Sequence, residues 1–219
     1  MSLLLPKAKN GDIVLGVMGG TFDPIHIGHL VTAEEARQEF NLDYVVFMPA
    51  GYPPHKDLTG LTSAEHRYLM TMLAVVDNIY FTVSRLEMDN KDGGPYYTID
   101  TVRRLKEIYE GKANIYFITG ADAILDITTW KDYEELLEIC SFIAASRPGY
   151  SFSRLENVLG SEYEKVLKKV HFLEIPAMSI SSTSMRRRVS ESKTIKYLTP
   201  ETVEQYIYKN ELYRDSHGE

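Results

Sequence analysis

Two rhythms of apolar residues alternate along the chain. Short unbroken runs, Ile13 to Val17, Tyr44 to Met48, Ile79 to Ser84, Ile115 to Thr119, Phe142 to Ala145 and His171 to Ile175, have the length and character of strands buried on both faces. Longer stretches of helical periodicity lie between them: about Gly28 to Phe40, Thr62 to Val76, Thr98 to Tyr109, Asp132 to Ile139 and Ser153 to Lys169. Ser181 to Ser192 and Thr199 to Lys209 predict two closing helices. Thr62 with Glu65 reads as a capping box, Thr98 as a cap, and Pro200 as a first helical residue. Gly19-Gly20, Pro49 and Arg147-Pro148-Gly149 stop strands, and Ala50 to Leu61 and Asp89 to Pro95 read as loops. Strands alternating with helices predict parallel βαβ units, so the fold class is α/β: a doubly wound parallel sheet with a small C-terminal helical part. With no repeat and no linker, residues 1–219 read as a single domain, 1–11 being a flexible lead-in. In such sheets ligands sit beyond the carboxyl ends of the strands, which directs attention to the residues that follow each one.

Composition narrows the function classes. The chain is 44% apolar and 25% charged, as expected of a folded globular domain. Cys140 is the single cysteine, which rules out an intrachain disulfide and suits a reducing compartment. No apolar run is long enough to span a bilayer, and the opening MSLLLPKAKNGD lacks a cleavage-type signal. A cytoplasmic protein with no membrane partner is expected. The net charge of −7 argues against broad nucleic-acid binding.

Chemistry concentrates in two segments. Residues 19–30 read GGTFDPIHIGHL: two glycines after a strand, then a loop entering a helix. The glycines allow close backbone approach to a ligand, and the free N–H groups of a helix start attract anions. His26 and His29, three residues apart, could face one ligand and donate to phosphate oxygens. The plainer reading is a turn in which Asp23 bonds its own backbone, flanked by two surface histidines. There is no G-x-G-x-x-G and no G-K-[ST], and His26 and His29 lack further ligands at zinc spacing. Residues 180–188 read ISSTSMRRR: a cap-forming run followed by three arginines in or just after the first helical turn. Cations there oppose the helix dipole, at roughly 0.3–1 kcal/mol each, unless an anionic ligand is bound. Arg186 is the candidate for that ligand, with Arg187 and Arg188 left to solvent.

Together the two segments resemble the nucleotidyltransferase superfamily related to class I aminoacyl-tRNA synthetases, which carries G-x-F-D-P-x-H-x-G-H and I-S-S-T-x-x-R. PPHK at 53–56, HR at 66–67, YTIDT at 97–101, GAD at 120–122, Trp130 and RPG at 147–149 are similar to its nicotinate-mononucleotide adenylyltransferase branch. The resemblance implies a Rossmann-like fold and transfer of AMP from ATP to nicotinate mononucleotide, with Mg2+ accompanying ATP. It implies phosphate contacts and catalysis by His26, His29, Lys56 and Arg186. ATP would further meet Gly19, Gly20, Thr21, Phe22, Gly120, Asp122, Ser181, Ser182 and Thr183. The mononucleotide would meet Thr21, Lys56, Thr98, Trp130 and Arg147. Where the branch often has an aromatic after the tryptophan, this chain has Lys131.

Other readings compete. Another acceptor, nicotinamide mononucleotide above all, would keep the same chemistry, and a phosphopantetheine or sugar phosphate acceptor is a more distant case. A non-catalytic nucleotide sensor would not need intact His26, His29, Lys56 and Arg186, and an RNA-binding relative fits the acidic charge poorly. A homo-oligomer is compatible with the sequence but is not indicated by it.

Overall fold

The computed structural model of the chain describes residues 5–7, 11–52, 60–89, 96–149 and 153–214. Among them six strands form one parallel sheet: β1 (Ile13–Gly20), β2 (Tyr44–Pro49), β3 (Phe81–Val83), β4 (Ala113–Gly120), β5 (Ser141–Ser146) and β6 (Val170–Glu174), in the order β3-β2-β1-β4-β5-β6. The order reverses between β1 and β4, whose carboxyl ends part there to leave a crevice.

The helices are α1 (Ile27–Glu39), α2 (Ala64–Val75), α3 (Thr98–Ile108), α4 (Ala121–Ile124), α5 (Tyr133–Ile139), α6 (Ser153–Leu159), α7 (Tyr163–Leu167), α8 (Ser182–Ser190) and α9 (Glu201–Lys209). The period-2 alternation of β1 sorts them into two layers. Leu15 and Val17 join a core with Ile99, Val102 and Leu105 of α3 and with Leu136 and Leu137 of α5. Met18 joins the opposite core, with Ala33 and Ala36 of α1, Met70 of α2, Met185 of α8 and Ile207 of α9. The C-terminal helices thus complete the layer begun by α1 and α2. Gly16 permits close packing on that side, since a Cβ there would stand 2.7 Å from Leu42 Cδ1.

The predicted parallel α/β architecture is present, with local differences. β3 is shorter than expected, because Asn78 Oδ1 accepts from Tyr80 N at 3.0 Å and holds 78–80 in a turn. Ser63, not Thr62, caps α2, accepting from His66 N at 3.3 Å, and Tyr97 rather than Thr98 stands at the cap of α3. The stretch from Ser153 to Lys169 is broken by a 3-10 turn at Gly160–Glu162, where Gly160 has φ +52°. Pro200 sits one residue before α9 rather than at its first position. The short α4 has no sequence periodicity to announce it. Of the lead-in, Leu5 packs on the core and Pro6 O accepts from Tyr109 Oη at 2.7 Å.

Candidate active site

The loop after β1 is shaped by close contacts. A Cβ on Gly20 would lie 2.9 Å from the Phe22 ring, so only glycine leaves that ring its place. Phe22 is buried with φ +50°, a strained conformation for a bulky residue that its packing must sustain. Its ring meets His29 edge-on, with centroids 5.2 Å apart, and so supports the imidazole from below.

One guanidinium braces this loop. Arg67, only 1% exposed, donates from Nη1 to Thr21 O (2.9 Å), from Nε to Thr62 O (2.9 Å) and from Nη2 to Gly51 O (3.2 Å). Burial lowers its pKa, and the Asp23 carboxylate opposes that shift. Asp23 is itself buried and does not bond its own backbone, as the plainer sequence reading had it. It accepts from Tyr213 Oη at 2.6 Å and from Thr62 N at 3.4 Å.

His26 and His29 open α1 with their rings stacked, centroids 3.7 Å apart and planes 18° apart. His26 N donates to His29 Nδ1 at 3.2 Å, so His29 carries its proton on Nε2. Burial drives the His26 pKa down to about 4, leaving the ring neutral near pH 7. Its Nδ1 has no hydrogen-bond partner among the described residues, a buried polar atom that a ligand or water would satisfy. Both rings line a cavity of about 540 Å3 together with Gly19, Gly120, Asp122 and Arg147.

The second motif lies beside the loop. Ser181 caps α8, its Oγ accepting from Ser184 N at 3.2 Å. Ser182 Oγ donates to Pro24 O at 2.8 Å; Arg186 donates to Asp23 O at 2.7 Å and to Thr183 Oγ1 at 3.4 Å. The expected conflict with the helix dipole is absent. Because α8 begins at Ser182, Arg186 lies mid-helix, while Arg187 and Arg188 fall in the last turn, where cations are favourable. Ile180 lines the first cavity, whereas Ser181, Ser182, Thr183 and Arg186 do not.

A second cavity of about 530 Å3 opens between the first turn of α3 and the turn after α4. Thr21, Thr98, Trp130 and Lys131 line it, and it shares Gly19 and Thr119 with the first. Trp130 is half-buried, edge-on to Phe117 and Phe142 with centroids 6.1 and 6.0 Å away, so it serves core and cavity together. Lys131 Nζ pairs with Asp100 at 3.3 Å and lies 4.8 Å above the Tyr97 ring. Glu87, buried on the same cavity, accepts from Thr101 Oγ1 at 2.7 Å, and desolvation raises its pKa to about 7.

The predicted residues therefore gather at the β1/β4 crevice, with exceptions. Arg147, expected with the mononucleotide, lines the first cavity, and Phe22, Ser181, Ser182, Thr183 and Arg186 line neither. Lys56 lies outside the described residues. The HR pair at 66–67 leaves Arg67 open between a helix surface charge and a loop brace, and it is the brace; sequence reasoning missed Glu87 and Tyr213. Among the described residues no group of three or more His, Cys, Asp or Glu is placed to hold a metal ion, and no helix is long and apolar enough to cross a membrane.

The family model described as cytidylyltransferase-like matches residues 17–188, a span that contains both motifs and both cavities. The chain belongs to that family. It is 51% identical over 203 residues, 93% of this chain and 95% of the relative, to a probable nicotinate-nucleotide adenylyltransferase of Thermoanaerobacter sp. strain X514. A protein of the same name from Moorella thermoacetica is 54% identical over 91% of each chain. Among solved structures, the Plasmodium falciparum nicotinic acid mononucleotide adenylyltransferase complexed with NaAD superposes with a TM-score of 0.73. The superposition covers 92% of this chain and 97% of that one, and its 22% identity shows a shared fold. In this member of the cytidylyltransferase-like family, α9 and Tyr213 lie beyond the matched span.

Proposed function

We infer that the protein is a nicotinate-nucleotide adenylyltransferase: it transfers AMP from ATP to nicotinate mononucleotide, giving nicotinate adenine dinucleotide and pyrophosphate in NAD biosynthesis. The observation that carries the reading is the pair of nucleotide-sized cavities meeting at Gly19 and Thr119, one lined by two histidines and the other by Trp130 and the start of α3. Such a pair fits two nucleotides whose phosphates must touch. The shared name of relatives about half identical over nearly the whole chain supports it.

In this reading the mononucleotide phosphate, already anionic, attacks the α-phosphorus of ATP in line. A P–O bond forms as the bond to the β-phosphate oxygen breaks, and pyrophosphate leaves. No protein nucleophile is needed; the task is to hold two anions together and stabilise charge on the transferring group. His29 Nε2–H, the neutral His26 and the Gly28 N–H at the start of α1, on the lining of the same cavity, serve that end, joined by Arg186 and Lys56. Gly120 and Asp122 hold the ATP nucleoside, the helix start at Ser182 and Thr183 meets its triphosphate and adenine, and Arg147 lies with Gly120 and Asp122 by position. Mg2+ arrives with ATP as part of that substrate. Among the described residues Asp122 is the one carboxylate lining the first cavity, which suits an ion held by phosphate oxygens and water. The nicotinate ring lies against Trp130, its carboxylate toward the N–H groups of Thr98 and Ile99 at the start of α3, ahead of Asp100 and Thr101, whose N–H groups donate to Tyr97 O. The reading places the enzyme in the cytoplasm, with ATP.

The test is pyrophosphate release from ATP, Mg2+ and nicotinate mononucleotide. His29→Ala should lower kcat by about 10²-fold or more with the circular dichroism spectrum unchanged. Undiminished turnover by the folded variant would remove His29 from the reaction.

A further inference from the structure

The C-terminal segment grips the catalytic loop at consecutive backbone groups. The carbonyls of Asp23, Pro24 and Ile25 accept from Arg186 Nη1 (2.7 Å), Ser182 Oγ (2.8 Å) and Thr199 Oγ1 (2.9 Å), and Ile27 N donates to Leu198 O at 2.9 Å. The last contact comes from a residue that follows α9. Tyr213 stands in a turn where Glu211 and Tyr213 itself have φ of +52° and +63°, and its hydroxyl donates to Asp23 Oδ1 at 2.6 Å, 190 residues away. Two left-handed non-glycine residues on either side of Leu212 are costly, and the contact they allow accounts for them.

The surroundings make this contact more than surface packing. Asp23 is 3% exposed, its other oxygen meets Thr62 N at 3.4 Å, and Arg67 provides the compensating charge. Burial and the Asp23 carboxylate push the phenol pKa up, so Tyr213 remains a donor. Without that hydroxyl, a buried carboxylate loses its shortest hydrogen bond three residues before His26.

We propose that Tyr213 is a positioning residue of the catalytic loop, fixing through Asp23 the approach of the chain to His26 and the start of α1. The role in turnover rests on the adenylyltransferase reading; the effect on the loop does not. Tyr206 supplies a matched control, since it belongs to the same C-terminal segment but its hydroxyl bonds His66 Nδ1 of α2, at 2.8 Å, rather than a loop residue.

The experiment compares Tyr213→Phe with Tyr206→Phe in the full chain. It measures thermal stability, kcat and KM for both substrates, and hydrogen exchange of the amides from Phe22 to His29. Both variants should lose some stability. Tyr213→Phe alone should lower kcat about 10-fold with little change in either KM, because the histidines are needed most in the transition state. It alone should speed exchange in the loop. Equal losses of kcat in the two variants, or unchanged kcat and exchange in Tyr213→Phe, would overturn the proposal. Should the wild type release no pyrophosphate, the adenylyltransferase reading fails and exchange decides: faster exchange in Tyr213→Phe alone supports positioning, and unchanged exchange overturns it.

Discussion

At the scale of single residues, burial decides what each ionisable group of the site can do. His26 and His29 are adjacent on the helix face, yet His26 is held neutral by desolvation, while His29 has its tautomer set by the amide of His26. Neutral rings donate one hydrogen bond each from a fixed position, which suits a site that must orient phosphates rather than merely attract them. Glu87 shows the same physics with the opposite sign. Its carboxyl has a pKa of about 7 in the fold, above the ordinary 4.5. The folded form therefore binds more protons between those values, and stability is present at low pH and lost as the pH rises through 7. Glu87→Gln keeps an acceptor for Thr101 and removes the charge. In urea unfolding it should be more stable than the wild type at pH 8, by on the order of 2 kcal/mol, with the gain shrinking at pH 5. A gain independent of pH would show that Glu87 does not titrate in this way.

At the scale of elements, the site depends on segments pressed into one another. Gly51 lies under the loop that carries Glu87: a Cβ there would push into the Glu87 carbonyl oxygen and crowd the Met88 backbone. Its own carbonyl is one of the three held by Arg67. Gly51→Ala should cost about 1–3 kcal/mol and weaken mononucleotide binding, since the neighbouring Ala50 and Glu87 line the same cavity. Thermal unfolding and KM measurements would check both effects, and wild-type values for both would show that the segment yields at no cost. The strands and most helices were legible because strands buried on both faces read as unbroken apolar runs. The two motifs were legible because glycines, histidines and cap residues cluster after β1 and before α8. Arg67 could not be assigned, because a charged residue in a helix reads equally as a solvated surface charge or as a loop brace. Its burial is tolerable only through carbonyls of Thr21, Gly51 and Thr62, which no local pattern brings together. The placement of Arg187 and Arg188 depended on where α8 starts and how short it is, and the link from Tyr213 to Asp23 spans most of the chain.

At the scale of the whole molecule, an acidic chain gathers hydrogen-bond donors at one end of its sheet. The net charge is −7, yet two imidazoles and Arg147 line the cavity at the end of the sheet where β1 and β4 part, and Arg186 reaches the loop after β1 at Asp23 O. Two cavities of similar size meet there, and the C-terminal helices complete the layer that holds the loop between them. The central claim is that one cavity takes ATP and the other a mononucleotide whose ring carries a carboxylate. The most direct measurement compares kcat/KM for nicotinate mononucleotide and nicotinamide mononucleotide at saturating ATP and Mg2+. A site offering N–H donors should favour the acid by about 10²-fold or more. Equal or reversed preference would contradict the assignment of the second cavity to a carboxylate.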